Sequence, residues 1–301
     1  MTKKSLVISG TIVTLGLLAG RFTGFLRELL IAQQFGLTEQ ADVAILLLTL
    51  PDTFINFLIG GGVAAALIPT LKITPLTEWK KICWQSSGLF FLFFSLLSVL
   101  ITINPLIIVH FFAPGASNSV STNAANLLRI AIWVMPLTAL SMVSSAYLQA
   151  QERFLMPSLG TFIFNLTIIS SFMFISSNYL QMRFFAFAIV LGAFFRWVSQ
   201  ARFLEAPRKV FSPWLVSKSL LTRYVHAVSG LGLIVFLPVA ANSLASFYQT
   251  GSIAAFSYVN KLIQFPITMC LSVFSIVLLP RLAALGTSDA KNSLALLNAR
   301  T

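Results

Sequence analysis

Eight long apolar stretches, separated by short polar breaks, organise this chain: 5–34, 41–71, 83–112, 122–150, 156–178, 184–204, 219–247 and 252–285, with ends set to within several residues. About 20 apolar residues in a helix cross the hydrocarbon of a bilayer, so each stretch is long enough to span it. Several are longer, which implies tilt, kinks or extension past the headgroups. The polar breaks fall at 72–81, 113–119, 151–154 and 205–209. Pro51, Pro136, Pro266 and Pro280 lie within or near the ends of spans, where neighbouring helices satisfy the carbonyls they free. The pattern predicts an all-α integral membrane protein with about eight transmembrane helices.

Composition agrees: 57% of the 301 residues are hydrophobic, 9% are charged and the mean hydropathy is +0.89. A soluble domain carries about a quarter charged residues. The net charge of +12 does not indicate nucleic acid, because the basic residues are scattered between apolar spans rather than gathered on one face. They follow the positive-inside rule. With a cytoplasmic N-terminus, fourteen lysines and arginines fall in cytoplasmic segments and Arg183 alone in the opposite loops. Both termini are therefore expected in the cytoplasm. Arg21, Arg27, Arg129, Arg196 and Lys261 are left at or within membrane depth. The N-terminal stretch runs too long for a cleaved signal and contains Arg21, so it reads as a first span. Cys83 and Cys270 show no metal-ligand spacing and read as free thiols.

An internal echo is visible. Gly36 and Gly251 each precede a proline by fifteen residues, Pro51 and Pro266, and both segments run on to similar ends at 67–71 and 278–282. The pair suggests two repeated lobes, a common transporter organisation; coincidence among apolar residues is the plain alternative.

Charge inside an apolar span is costly and marks a functional site by default. Arg21 and Arg27 stand in the first span, about 240° apart around the axis and about 9 Å along it, so a wide cavity or a bend is needed to receive both. Arg27 could instead pair with Glu28 or snorkel. Gly16, Gly20 and Gly24 recur every four residues, offering either close helix approach or a bend. Asp52 is the one carboxylate at mid-depth and a candidate to neutralise Arg21 or Arg27. Asp42 and Glu39 open the second span, where a carboxylate meets the positive end of the helix dipole. The run Gly60, Gly61, Gly62 argues for a flexible or broken helix. Lys261 is the lysine deepest in an apolar segment, beside Asn260. Arg129 and Arg196 are weaker candidates for an inward-facing cation, since either could snorkel, and His110 and His226 read as interfacial residues with ordinary polar contacts. No catalytic motif, metal cluster or cofactor signature is present in the sequence, which points to a transporter rather than an enzyme.

These residues resemble the MurJ (MviN) lipid II flippases of the MOP transporter superfamily. The resemblance runs nearly end to end, through GlyArgPheThrGlyPheLeuArgGlu (20–28), AlaProGly (113–115), GlnAlaGlnGluArgPhe (149–154) leading to Asn165, TyrValAsnLysLeuIleGlnPhePro (258–266) and LeuLeuProArgLeu (278–282). It implies a cavity lined by basic residues that engages the diphosphate and sugar of an undecaprenyl-linked precursor. Arg21 and Arg27 match the arginines of helix 1, Lys261 stands at an arginine position of helix 8, and Asp42 matches an acid near the outer gate. There are departures. Ile55 or Asn56 stands where a helix-2 arginine is expected, and Asn260-Lys261 replaces an Asp-Arg pair, losing the bidentate fork.

The implied organisation is one complete six-helix lobe over 1–210 and the first two helices of a second lobe with a short tail over 211–301, a shortened member lacking most of that lobe. The expected function is alternating-access transport of a polyprenyl-diphosphate-linked saccharide from the inner to the outer leaflet of the bacterial inner membrane. Expected partners are the undecaprenyl-linked lipid, membrane lipids and a second lobe supplied by itself or another chain. The alternative is a truncated, non-transporting paralogue acting as a binding or assembly partner in cell-envelope biogenesis.

Overall fold

The computed structural model describes residues 3–58, 62–173, 178–205, 213–216 and 218–270, with backbone alone for 3–12, 58, 178–181 and 231–236. These residues form helices α1 Lys3–Phe35, α2 Glu39–Leu58, α3 Gly62–Ile73, α4 Leu76–Ile103, α5 Pro105–Phe112, α6 Asn118–Ala131, α7 Val134–Ala150, α8 Leu155–Phe172, α9 Asn178–Ala201 and α10 Lys218–Ala245. A further helix, α11, occupies 252–270.

Length and composition qualify four helices to cross a membrane: Glu39–Ile73, Leu76–Ile103, Leu155–Phe172 and Met182–Ala201. The pair Asn118–Ala131 and Val134–Ala150, bent by 43°, makes a fifth. The long helices α1 and α10 each include residues described by backbone alone, and residues 271–301, with Pro280 and the 278–282 motif, lie outside the described residues.

Prolines divide the longer apolar stretches. The stretch 122–150 forms two helices, not one, because Pro136 cannot donate to the Ile132 carbonyl four residues back. That carbonyl accepts instead from the Met135 amide at 3.0 Å and from Ser98 Oγ on α4 at 3.2 Å. The stretch 83–112 divides at Asn104, with Pro105 opening α5, and its helix begins earlier than expected, at Leu76. In the stretch 41–71, α2 is described to Leu58 and α3 from Gly62, and the expected break at the glycine run lies outside the described residues with Gly60 and Gly61.

At the centre is α7, buried along most of its length and packed against α3, α4 and α9. The outer face of α4 exposes Leu92 and Leu96, as a lipid-facing surface does. On the other side, α1 lies along α8, which lies along α9. The seam between α1 and α8 is set by the small-residue stripe: a Cβ on Gly16 would stand 2.3 Å from Ser158 Oγ, one on Gly20 3.0 Å from Thr161 Cβ, and one on Gly24 3.2 Å from Asn165 Nδ2. Through this stripe α1 is a continuous helix.

The turns between α1 and α2 and between α10 and α11 share a local geometry. Gly36 and Gly251 both adopt positive φ, +57° and +87°, which costs glycine little. The second turn docks on the first, since a Cβ on Gly251 would meet the Leu37 carbonyl oxygen at 2.5 Å.

Candidate functional site

Between α1, α2, α7, α8, α9 and α11 lies a cavity of about 440 Å³. Arg21, Arg27, Asp52, Arg196 and Lys261 line it, together with neutral residues that include Asn56, Thr138 and Asn165. Among the lining residues four cations face one carboxylate.

Arg27 is buried, at 7% exposure. Its Nη1 donates to Asn165 Oδ1 at 2.8 Å, and its Nη2 lies 3.5 Å from Glu28 Oε2. Asn165 is in turn held by its Nδ2, which donates to the Gly20 carbonyl at 3.1 Å. The missing Cβ of Gly24 leaves room for this amide. Arg27 therefore both pairs with Glu28 and lines the cavity, two outcomes that the sequence alone set as alternatives. Arg21 sits nearer the surface, its guanidinium donating to the Thr268 carbonyl of α11. Phe25 stacks on Phe265 with centroids 4.3 Å apart, so an aromatic pair joins α1 to α11 beside the arginines.

Asp52 opens onto the cavity. It forms no ion pair within 4.0 Å among the described residues and lies within electrostatic reach of Arg27, Lys261 and Arg196. Lys261 projects from α11 at the same cavity. Its neighbour Asn260 accepts from Gln264 Nε2 at 2.9 Å, and Gln264 belongs to the lining. Ile55 and Asn56, at the position of the expected helix-2 arginine, line the cavity as neutral residues.

Arg196, a weaker candidate in the sequence, also lines the cavity. Arg196 does not snorkel; it turns inwards, its Nη2 3.8 Å from Met142 Sδ, and its stem occupies the space that Gly160 leaves on α8. Its buried Nε has no hydrogen-bond partner among the described residues. The one legible signal was an arginine within an apolar span.

Around the start of α2, hydrogen bonds draw neighbouring helix ends together. Asp42 is buried and does not serve the start of its own helix alone. Its Oδ2 accepts from the Gly251 amide at 2.7 Å and its Oδ1 from the Ala254 amide at 2.8 Å. It thus caps α11 from α2, where amides and dipole favour an anion. Nearby, Ser257 Oγ donates to Glu28 Oε1 at 2.7 Å, Tyr258 Oη to the Gly36 carbonyl at 3.2 Å, and the Gly115 amide to Ser246 Oγ at 2.9 Å. At the opposite ends, Gln85 holds the segment before α10 through the Pro213 carbonyl and the Leu215 amide at 3.0 and 2.8 Å. Lys80 pairs there with Glu205, and that hydrogen bond and charge hold the Glu205 carboxyl below its ordinary range.

Gly62 packs on Val228 of α10, with 3.2 Å between an added Cβ and Val228 Cγ2. Cys83 is buried and Cys270 exposed, both as free thiols.

A family model described as lipid II flippase MurJ matches residues 31–300. A protein of Aquifex aeolicus described as “Probable lipid II flippase MurJ” is 26% identical over 289 residues, covering 93% of this chain and 56% of the relative. The Vibrio cholerae protein of the same description is 24% identical over 309 residues, covering 93% and 57%. The chain thus spans about half the length of the curated relatives it matches. A solved structure titled “Lipid II flippase MurJ, inward closed conformation” superposes with a TM-score of 0.71 at 19% identity, over 85% of this chain and 55% of that one. That likeness is one of fold.

Proposed function

The chain belongs to the lipid II flippase MurJ family, and from that footing we propose that it moves a polyprenyl-diphosphate-linked saccharide, a lipid II-like peptidoglycan precursor, from the inner to the outer leaflet by alternating access. The observation that carries this reading is the cavity with four cations against one carboxylate, lying beneath hydrogen-bonded outer helix ends. A diphosphate satisfies buried guanidinium groups through short charge-assisted hydrogen bonds. Arg21, Arg27 and Lys261 hold it in this scheme, and Arg196 adds a fourth contact from α9 in place of the helix-2 arginine absent at Ile55 and Asn56. Asp52 offsets part of the remaining positive charge of the empty cavity, where Arg27 is already paired with Glu28. Asn260 supports Lys261 through Gln264.

Transport then requires the outer contacts to open. Asp42 is the gate residue, since its two hydrogen bonds join α2 to α11. Gly20, Gly24 and Gly62, with Gly60 and Gly61, are the hinge candidates, positions where helices slide or bend at close approach. The moving units are a first lobe over 1–210 and the second-lobe helices over 211–301. A further lobe, from a second copy or another chain, completes the far wall. Support for it comes from exposed Leu237, Leu244 and Ile263 on α10 and α11. The protein resides in the bacterial inner membrane with both termini cytoplasmic, as the basic-residue bias requires.

The test is complementation of a flippase-depleted strain, by the chain alone and together with a complementary second half. The variant Arg21→Ala/Arg27→Ala, at matched membrane abundance, is expected to lose growth in whichever arrangement the unaltered chain supports. Full growth with that variant overturns the cavity reading.

A further inference from the structure

A second pocket, of about 540 Å³, lies apart from the central cavity, between the first turns of α2 and α9 and the second half of α6. We infer that it binds a phosphate-bearing headgroup, held by Arg129 from α6 and Arg183 from α9; its place on the outer face rests on the orientation proposed above.

Three observations converge. First, Arg183 is the single basic residue in the outer loops under that orientation, on the face that the positive-inside bias depletes, and it lines the same pocket as Arg129. Second, Arg129 makes no hydrogen bond or ion pair to another described residue. Glu39, an acid of the same pocket, forms no ion pair with it within 4.0 Å; its carboxylate accepts from Ser117 Oγ at 3.3 Å and Ser119 Oγ at 2.7 Å, at the start of α6. Third, Asn123 and Asn126 lie three residues apart on α6 and both line the pocket, so their amides reach the same space. Two guanidinium groups and two amides suit the oxygens of a phosphate and the hydroxyls around it. The volume is within the range of small-ligand sites.

The shared chemistry is a phosphate at headgroup depth, and two lipids of the outer leaflet present one. An anionic phospholipid would occupy the pocket permanently. The diphosphate of the delivered carrier would occupy it on leaving the cavity.

The experiment uses the full chain in phosphatidylcholine nanodiscs, titrated separately with short-chain phosphatidylglycerol and with farnesyl diphosphate. The farnesyl diphosphate arm is run with Arg21→Gln throughout, to weaken the central cavity. Arg129→Gln/Arg183→Gln is expected to weaken one probe by at least about tenfold, since charged hydrogen bonds are lost. Arg129→Lys/Arg183→Lys, which keeps the charge, is expected to fall between and to exclude a folding defect. A response to phosphatidylglycerol assigns the site to leaflet lipid; a response to farnesyl diphosphate assigns it to the carrier. Affinities unchanged within about twofold for both probes overturn the inference. Because the readout is binding at the outer pocket, it stands whether or not Arg21 and Arg27 prove necessary for growth.

Discussion

At the scale of single residues, the cavity depends on how Arg27 is held. Its guanidinium is fixed by Asn165, and Asn165 by the Gly20 carbonyl. Asn165→Ala removes a partner from a buried charge, a change that costs about 1–3 kcal/mol, and should lower both thermal stability in detergent and transport. Asn165→Asp should keep the fold and weaken diphosphate binding, because an added carboxylate competes for Arg27. A gain is expected from Lys261→Arg. The fork of a guanidinium suits phosphate better than a point charge, so calorimetry should show tighter binding of a polyprenyl diphosphate. At Glu205 the folded carboxyl titrates below its ordinary 4.5 because Lys80 favours the charged form. The pair therefore contributes above that value and is lost as pH falls through the lowered folded pKa. Lys80→Met should remove this dependence, as a melting series from pH 3 to pH 7 would show. Arg21, Arg27 and Lys261 were legible as site residues because charge in an apolar span is conspicuous. Arg196 was equally conspicuous, but hydropathy reports depth and not the direction around a helix. Only packing against Gly160 turns it inwards.

At the scale of elements, the seam between α1 and α8 tolerates no added methyl. Gly16→Ala would drive a Cβ into Ser158, and overpacking of this kind costs about 1–3 kcal/mol; Gly16→Ala/Ser158→Gly should recover most of the lost melting temperature. Helix existence was readable from apolar runs of sufficient length, whereas helix ends were not. The split of 122–150 required seeing that Ser98 donates to the Ile132 carbonyl that Pro136 leaves open, a contact between residues 34 positions apart. The early start of α4 lies in the charged stretch 76–82, which hydropathy assigns to a break although its residues are able helix formers.

For the whole molecule, the helix ends around Asp42 are joined, and the proposed orientation makes them the outer ends with the cavity below them. A cysteine placed at Asn56 with Cys270→Ser should therefore resist an impermeant thiol reagent added outside, yet react with a permeant one. Labelling from outside at an equal rate would contradict the closed outer face. Breaking that closure has a particular character. The Asp42 carboxylate is bound by two amides from a single helical turn, so separation strands an anion and two donors together. Half-measures gain nothing, because neither partner is rehydrated until water enters between them. The gate should consequently work as a click rather than a slide, dwelling in shut or open states with few in between. Replacing Asp42 with a residue that cannot accept those amides should turn crisp switching into slack, leaky breathing.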